Sequence, residues 1–159
     1  MKYWLFKAEP DVYGIEHLAA EKNQTGRWDG IRNYQARNFI RDEIAFGDEV
    51  LIYHSGIKTP QIVGKAKIVK TAYPDPLQFN PESPYFDPKS SPENPRWFSV
   101  DIQLLERFKK PLTLADIKSH PALHEMVLVK QGRLSTQPVT ASEMEIILLL
   151  TQSFYNQSM

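Results

Sequence analysis

The stretch RWDGIRNYQARN, residues 27–38, carries most of the information about fold and function in this chain. Its twelve residues combine two aromatic rings, three amides, three arginines and one carboxylate. A surface helix does not need Trp28 and Tyr34, and a solid core would leave the amides without hydrogen-bond partners, at a cost in free energy. A pocket that stacks a flat heterocycle and hydrogen-bonds its edge requires this mixture of side chains.

The composition around this stretch is that of one globular domain. The chain has 159 residues, 42% of them apolar and 24% charged, which is enough for a substantial core. There are no cysteines, so disulfides and thiolate metal sites are excluded. No apolar run is long enough to span a bilayer, and the first seven residues become charged too early for a signal peptide. We therefore expect a soluble cytoplasmic protein without membrane association.

The net charge excludes one class of nucleic-acid binder. The formal charge is zero, whereas proteins that bind nucleic acid regardless of sequence carry a basic excess that drives counterion release. A slight positive balance lies in residues 1–72, with 11 Lys and Arg against 9 Asp and Glu. The basic residues therefore coincide with the aromatic and amide cluster, but only by a small margin.

Hydrophobic periodicity predicts an α+β fold. Strands are predicted at residues 3–6, 49–54, 61–72, 97–108, 126–130 and 133–139. Helices are predicted at 15–22, 33–44, 113–119 and 140–150, with Asn33, Thr113 and Thr140 as N-caps. Five or six strands without regular βαβ alternation indicate a small mixed β-barrel with peripheral helices. Residues 1–150 are expected to form this domain and 151–159 a polar C-terminal tail.

Residues 73–95 are predicted to form a long ordered loop. This segment contains seven of the twelve prolines, which remove backbone donors and restrict the preceding residues. It also contains Tyr73, Phe79, Tyr85 and Phe86, and disordered segments are usually poor in aromatic residues. We expect a stiff loop that is packed by its own aromatic side chains.

Metal and nucleophilic chemistry receive little support. The four histidines are scattered, and the one helical pair, His120 and His124, has a proline between them and no nearby glutamate, so no metal site is predicted. Adjacent side chains on a strand point to opposite faces, which disfavours a direct pair between His54 and Ser55. Lys7 and Glu9 could form an exposed ion pair, or Lys7 could contact phosphate or act as a catalytic amine.

The aromatic and arginine residues of the key stretch also have ordinary explanations. A lone tryptophan is more often a core residue, but Gly26 and Gly30 flank Trp28 and place it in an irregular segment, where functional residues concentrate. Arg37 and Arg41 have helical i, i+4 spacing and would line one side of a helix. That side is either a solvated face or a phosphate contact.

Five segments together resemble the EVE domain, a family within the PUA-like group of small β-barrels. They are KAEP at 7–10, WDGIRNYQARN at 28–38, YHS at 53–55, YPD at 73–75 before the proline-rich loop, and RLS at 133–135 with a proline at 138. The resemblance covers residues 1–150. One departure is Ala8, where the family often has serine, so a hydroxyl contact to ligand would be missing here.

The resemblance implies a non-enzymatic reader of a modified base, a modified cytosine or adenine, in DNA or RNA, without a cofactor. The EVE fold is similar to that of YTH domains, which enclose a methylated base in an aromatic cage. The residues that this resemblance places at the base are Trp28, Asn33, Tyr34, Gln35, His54 and Ser55. Those that it places at the rim or at phosphate are Lys7, Arg37, Arg133 and Ser135.

Two alternatives remain open from the sequence. The related ASCH domains include amidohydrolases of acylated nucleosides that use a lysine, a glutamate and a hydroxyl residue, and Lys7, Glu9 and Ser55 could imitate that set. The chain could instead be a protein-interaction domain that uses the loop around Tyr85 and Phe86 as its contact surface.

Overall fold

The computed structural model describes residues 1–153, which form one mixed sheet covered by helices on both faces. The strands are β1 (Tyr3–Ala8), β2 (Thr25–Trp28), β3 (Glu49–His54), β4 (Gln61–Pro74), β5 (Phe98–Thr113) and β6 (Thr136–Val139). The helices are α1 (Pro10–Tyr13), α2 (Ile15–Ala20), α3 (Tyr34–Asn38), α4 (Leu114–Ser119), α5 (Val127–Lys130) and α6 (Ala141–Leu150). The predicted mixed sheet with peripheral helices is therefore confirmed, but its strands are not all those predicted. β2 lies outside the predicted strands, and Trp28, expected in an irregular segment, is the last residue of that strand.

The strand order is β2-β5-β4-β3-β1-β6. β1 runs parallel to β3, with Leu5 opposite Leu51, and all other neighbouring strands are antiparallel. Within residues 1–153 the edge strands β2 and β6 do not pair with each other, so the sheet is not closed by hydrogen bonds. No helix in this range is both long and apolar enough to cross a bilayer.

Alternation along the central strands divides the core in two. In β1, Trp4 and Phe6 face the cluster that includes α2 and α3, while Leu5 faces the cluster that includes α4 and α6. All three side chains are buried, as are their counterparts in β3. Burial on both faces explains why these strands are nearly continuous apolar runs in the sequence.

The predicted helix starts are confirmed by their caps. The Asn33 side chain accepts a hydrogen bond from Ala36 N at 2.9 Å, and the Thr113 hydroxyl accepts one from Asp116 N at 3.1 Å. Thr140 and Glu143 form the reciprocal capping box at the start of α6. After α3 the chain continues through a π-helical turn, Phe39–Glu43, so the predicted helix at 33–44 is present in two parts.

Two sequence predictions are corrected by the structure. Residues 126–130, predicted as a strand, form the short helix α5, because a brief apolar run has no period that separates buried helix from buried strand. The predicted polar tail includes Thr151 and Ser153, which are buried, and the Ser153 hydroxyl donates to Glu106 at 2.6 Å. The rest of that tail, 154–159, lies outside the described residues.

The proline-rich loop is ordered, but polar side chains organise it. The side-chain amide of Gln78 is fully buried, donates to the carbonyls of Asp75 and Trp97 at 2.8 Å, and accepts from the backbone N–H groups of Arg96 and Trp97 at 3.1 Å. Packing by the aromatic residues of the loop alone is therefore not what holds it.

Candidate functional site

A cavity of about 550 Å³ opens beside the C-terminal ends of β1, β2 and β3. This volume lies within the usual range for small-molecule sites, roughly 300–1,000 Å³. Its lining comes from the end of β1 through α1, from the end of β2 and the segment that joins it to α3, from the residue after β3, from the proline-rich loop and from the segment before β6. The lining residues are Lys7, Ala8, Glu9, Val12, Tyr13, Arg27, Trp28, Asp29, Gly30, Ile31, Arg32, Asn33, Ser55, Tyr85, Gly132, Arg133 and Ser135.

Three aromatic residues line this cavity, namely Trp28, Tyr13 and Tyr85. Trp28 is only 7% exposed, because its ring packs against Phe6 at 5.8 Å and edge-on against Tyr13 at 5.9 Å. Trp28 is therefore both a core residue and a wall of the cavity. The sequence left open whether Trp28 is a core residue or a residue of a pocket, and the structure shows that it is both.

The indole N–H of Trp28 differs from those of the other tryptophans. Trp4 Nε1 donates to Asp48 at 3.0 Å, and Trp97 Nε1 donates to Asp87 at 2.8 Å. Trp28 Nε1 has no hydrogen-bond partner among residues 1–153. Because this unpartnered atom is not fully buried, it can donate a hydrogen bond to a ligand that reaches Trp28.

The Tyr85 wall is held in place by a buried ion pair. Asp75 is fully buried, and its carboxylate accepts from Arg32 and from Gly30 N, both at 2.9 Å. The guanidinium of Arg32 also donates to the carbonyl of Tyr85 at 2.9 and 3.1 Å. Gly30 has φ +74°, and a Cβ at this position would lie 2.9 Å from the Tyr85 ring, so glycine is required by both conformation and space.

The cationic side chains at the rim differ in whether they already have hydrogen-bond or ion-pair partners. Lys7 is half-buried, its ammonium donates to the carbonyl of Gly132, and burial lowers the pKa of Lys7 from its usual value. Arg27 is paired with Asp29 at 2.8 Å. Arg133 is exposed and forms no hydrogen bond or ion pair through its side chain within the described range. Arg133 is therefore the most available positive group at the rim.

The polar residues at the end of β1 lie in the cavity without the expected ion pair. Lys7 and Glu9 both line it, but no ion pair joins them within residues 1–153. Ser55 N donates to the carbonyl of Ala8 at 2.8 Å and thereby fixes the Ser55 hydroxyl beside the cavity. No group of three or more histidine or acidic side chains in this range could hold a metal ion.

The structure brings together six of the ten residues singled out from the sequence. Those that line the cavity are Lys7, Trp28, Asn33, Ser55, Arg133 and Ser135. Asn33 uses its side-chain oxygen to cap α3, which leaves its NH₂ group for other contacts. The four residues outside the cavity lining are Tyr34, Gln35, Arg37 and His54.

His54 lies behind the cavity, where it joins two elements of the fold. Its Nε2 accepts a hydrogen bond from Ile15 N at 3.1 Å, linking the end of β3 to the start of α2. Burial lowers the pKa of His54 from its usual value, an effect that the nearby Glu16 opposes. His54 is thus held as a neutral acceptor.

Tyr34, Gln35 and Arg37 lie on the outer face of α3. Tyr34 is 53% exposed and packs on Trp97, with ring centroids 4.9 Å apart. The Arg37 guanidinium lies 4.9 Å from the Tyr34 ring and donates to the carbonyl of Arg96 at 2.8 Å. Gln35 is exposed on the same short helix.

Sequence reasoning missed Tyr13 and Tyr85 as cavity residues. Tyr13 ends α1, whose start is marked by Pro10 at the first helical position, a signal that was available in the sequence. Its hydroxyl donates to Glu21 at 3.2 Å, and burial together with that carboxylate raises the pKa of Tyr13 to about 12. Tyr85 faces the cavity side of the loop, which leaves Phe86 as the exposed aromatic residue of the pair.

Comparison with known proteins gives consistent matches over the whole domain. A family model described as the EVE domain matches residues 2–150. Human thymocyte nuclear protein 1 is 42% identical over 167 aligned residues, which cover 94% of this chain and 74% of that protein. A crystal structure of human THYN1 protein in complex with DNA containing 5-methylcytosine has a TM-score of 0.92 at 42% identity, covering 96% of this chain and 99% of that chain.

A more distant structure shares the fold alone. The YTH domain of Zygosaccharomyces rouxii MRB1 protein, solved with N6-methyladenosine RNA, has a TM-score of 0.54 at 12% identity and covers 96% of this chain and 87% of that chain. Together these neighbours confirm the predicted PUA-like fold with its mixed sheet and peripheral helices.

Proposed function

The chain belongs to the EVE domain family, and on this premise we propose that it binds DNA through a modified base, 5-methylcytosine in the first instance, held in the cavity beside Trp28. The observation that carries the proposal is the indole N–H of Trp28, a donor with no partner within the described residues, in a cavity also lined by Tyr13 and Tyr85. The complex of human THYN1 protein with DNA containing 5-methylcytosine supports this choice of ligand.

The cavity offers the three kinds of contact that an extruded base requires. Aromatic rings provide stacking, which contributes about 1–3 kcal/mol per base. The Trp28 N–H and the Asn33 NH₂ can address acceptors on the edge of the base. A buried methyl group adds about 0.8 kcal/mol, which corresponds to roughly fourfold discrimination against the unmodified base.

The rim is suited to a phosphodiester backbone without strong general affinity for nucleic acid. Arg133 has no side-chain partner among residues 1–153, while Arg27 and Arg32 are engaged by Asp29 and Asp75. Few available cations mean few released counterions, so binding should depend on the base and only moderately on salt.

The test is a titration of the protein with matched oligonucleotides that differ only at one central position. We expect 5-methylcytosine to bind about fourfold more tightly than cytosine, because one buried methyl group distinguishes them. N6-methyladenine in the same position measures whether the cavity prefers a modified purine. Equal affinities for all oligonucleotides would contradict the proposal.

A second candidate function, hydrolysis of acylated nucleosides, is favoured by one observation. Lys7, Glu9 and Ser55 line the same cavity, and burial lowers the pKa of the Lys7 ammonium, which favours a neutral amine. Incubation with N4-acetylcytidine, followed by mass spectrometry, tests this function. Product formation that is lost in Lys7→Ala would support an enzyme, and binding without product supports the reader.

A further inference from the structure

The outer face of α3 presents an aromatic ring that the cavity does not use. Tyr34 is 53% exposed, although its ring contacts the Trp97 ring and the Arg37 guanidinium, each 4.9 Å from its centroid, and these two neighbours lie 5.9 Å from each other. A large aromatic side chain that is fixed by its neighbours and still exposed can stack a ligand with little loss of conformational entropy.

This surface is connected to the cavity by contacts between planar groups. The Arg32 guanidinium lies 5.4 Å from the Trp97 ring centroid and 5.5 Å from the Tyr85 ring centroid. Tyr85 lines the cavity, and the Tyr34 ring contacts the Trp97 ring at 4.9 Å. A strand that leaves the cavity over this wall would therefore reach Tyr34.

The charges around Tyr34 favour an anion. Burial lowers the pKa of Arg37, and Arg41 and Arg96 add to this effect, while Tyr34 and Asp42 oppose it. Arg41 is paired with Asp42, whereas Arg96 makes no side-chain hydrogen bond or ion pair within residues 1–153.

The other acidic group near this surface is already engaged by hydrogen bonds. Asp87 accepts from Trp97 Nε1 at 2.8 Å and from Lys89 N at 2.9 Å. A phosphate group would therefore find the arginines near Tyr34 available as positively charged partners.

We infer that the outer face of α3 binds the nucleotide next to the captured base, with Tyr34 stacking the neighbouring base and Arg37 and Arg96 contacting its phosphate. This inference rests on the proposed function and adds a second subsite to it. The partner is a single-stranded DNA segment that continues from the extruded base.

The test combines protein variants with abasic oligonucleotides. The probe is a short single-stranded DNA with one central 5-methylcytosine, and two further probes lack the base on its 5′ or its 3′ side. Tyr34→Ala should weaken binding of the complete probe about fivefold or more, the value of one stacked base, and should have little effect on the abasic probe that already lacks the stacking partner. Tyr34→Leu keeps apolar packing on Trp97 and should give the same result if stacking is the cause.

A charge variant tests the phosphate contact independently. Arg96→Gln removes a cation that has no side-chain partner, and it should reduce the slope of log affinity against log salt by about 0.7. Lys118→Gln on α4 is the matched control, because it removes the same charge from an exposed site on the opposite side of the sheet. Its salt slope should equal that of the unaltered protein.

The outcomes separate this inference from the proposed function. Unchanged affinity and salt slope in the Tyr34 and Arg96 variants, with 5-methylcytosine still preferred, would overturn the second subsite alone. Weaker binding in both variants without any preference for 5-methylcytosine would support the outer surface and contradict the base-reading cavity. No binding of any probe would overturn both.

Discussion

The stretch of residues 27–38 contributes to both the cavity and the outer face of α3, but its two aromatic residues are exposed to very different extents. In the cavity, Trp28 is 7% exposed and offers an unpaired N–H, whereas on the outer face Tyr34 is 53% exposed and offers a ring. The boundary is Asn33, whose side chain caps α3. Residues 27–32 line the cavity, whereas Tyr34, Gln35 and Arg37 are helical and lie outside its lining.

The comparison shows that the sequence motif predicts which side chains are present, but not which of them face the cavity. Arg32 lines the cavity, but its guanidinium is bound to Asp75 and to the Tyr85 carbonyl and so holds the Tyr85 wall in place. An arginine in such a stretch is as suited to holding the wall as to contacting phosphate.

Asp75→Ala should have the largest effect because it removes the buried anchor of the wall. Asp75 is fully buried and accepts from Arg32, Gly30 N and Leu77 N. Breaking a buried ion pair from one side costs about 3–5 kcal/mol, and we expect a loss of this size in the free energy of unfolding measured in urea.

The control for this variant lies in the same loop. Glu82→Ala also removes a carboxylate, but from an exposed position, and its unfolding free energy should change by less than about 0.5 kcal/mol. Equal stabilities for the two variants would show that the ion pair does not hold the loop.

A matched pair of Trp→Phe substitutions should separate binding from stability. Trp4→Phe removes a hydrogen bond to the buried Asp48 and should lower the unfolding free energy by about 1–3 kcal/mol while leaving DNA affinity unchanged. Trp28→Phe removes a donor that has no partner within the described residues, so its stability cost is smaller.

The affinity of Trp28→Phe for the 5-methylcytosine oligonucleotide should fall by roughly threefold to tenfold, the value of one neutral hydrogen bond. The Trp→Phe change is preferable to Trp28→Ala, since truncating a core indole costs about 3–5 kcal/mol and confuses folding with binding. If Trp4→Phe weakened binding as much as Trp28→Phe, the indole N–H of Trp28 would have no special role.

Local features of the fold could be predicted from the sequence, and long-range features could not. The caps at Asn33, Thr113 and Thr140 depend on contacts three residues apart, and all three are present. The strand alternation in β5 is confirmed up to Leu104, but β4 contains irregularities in register that interrupt a strict period of two. A β-bulge has no periodic pattern of residues in the sequence, so these irregularities could not be predicted.

The site was predictable only in part for the same reason. Trp28 and Asn33 belong to the key stretch, and the cavity includes them. Tyr85 reaches the cavity through contacts between segments 53 residues apart, and nothing in the local pattern marks them. His54 sits next to Ser55 in the sequence, but the alternation of side chains on β3 directs it to α2 rather than to the cavity.

His54→Gln should change pH dependence of folding without changing binding. Burial lowers the pKa of His54 in the fold below its value of 6.5 in the unfolded chain, so the unfolded chain binds more protons as pH falls. The contribution of neutral His54 is complete above about pH 6.5 and is lost as pH falls through the lower folded pKa.

Melting temperatures between pH 7.5 and pH 5 measure this effect. His54→Gln keeps an acceptor for Ile15 N and should lose less stability on acidification than the unaltered protein. His124→Gln, at an exposed position, should retain the original pH dependence. DNA affinity at pH 7.5 should be the same in all three proteins, because His54 lies behind the cavity wall.

Ala8→Ser should have the smallest effect and is the most local probe of the cavity. Ala8 lines it at the end of β1, and its carbonyl accepts from Ser55 N at 2.8 Å. A new hydroxyl can add one hydrogen bond, so the ratio of affinities for 5-hydroxymethylcytosine and 5-methylcytosine should rise by about twofold to tenfold, with little change in melting temperature. Ala20→Ser, at the exposed end of α2, should leave the ratio unchanged. If the ratio of affinities is unchanged in Ala8→Ser, the base substituent does not lie near β1. It would then lie on the side of the cavity formed by Trp28 and Tyr85.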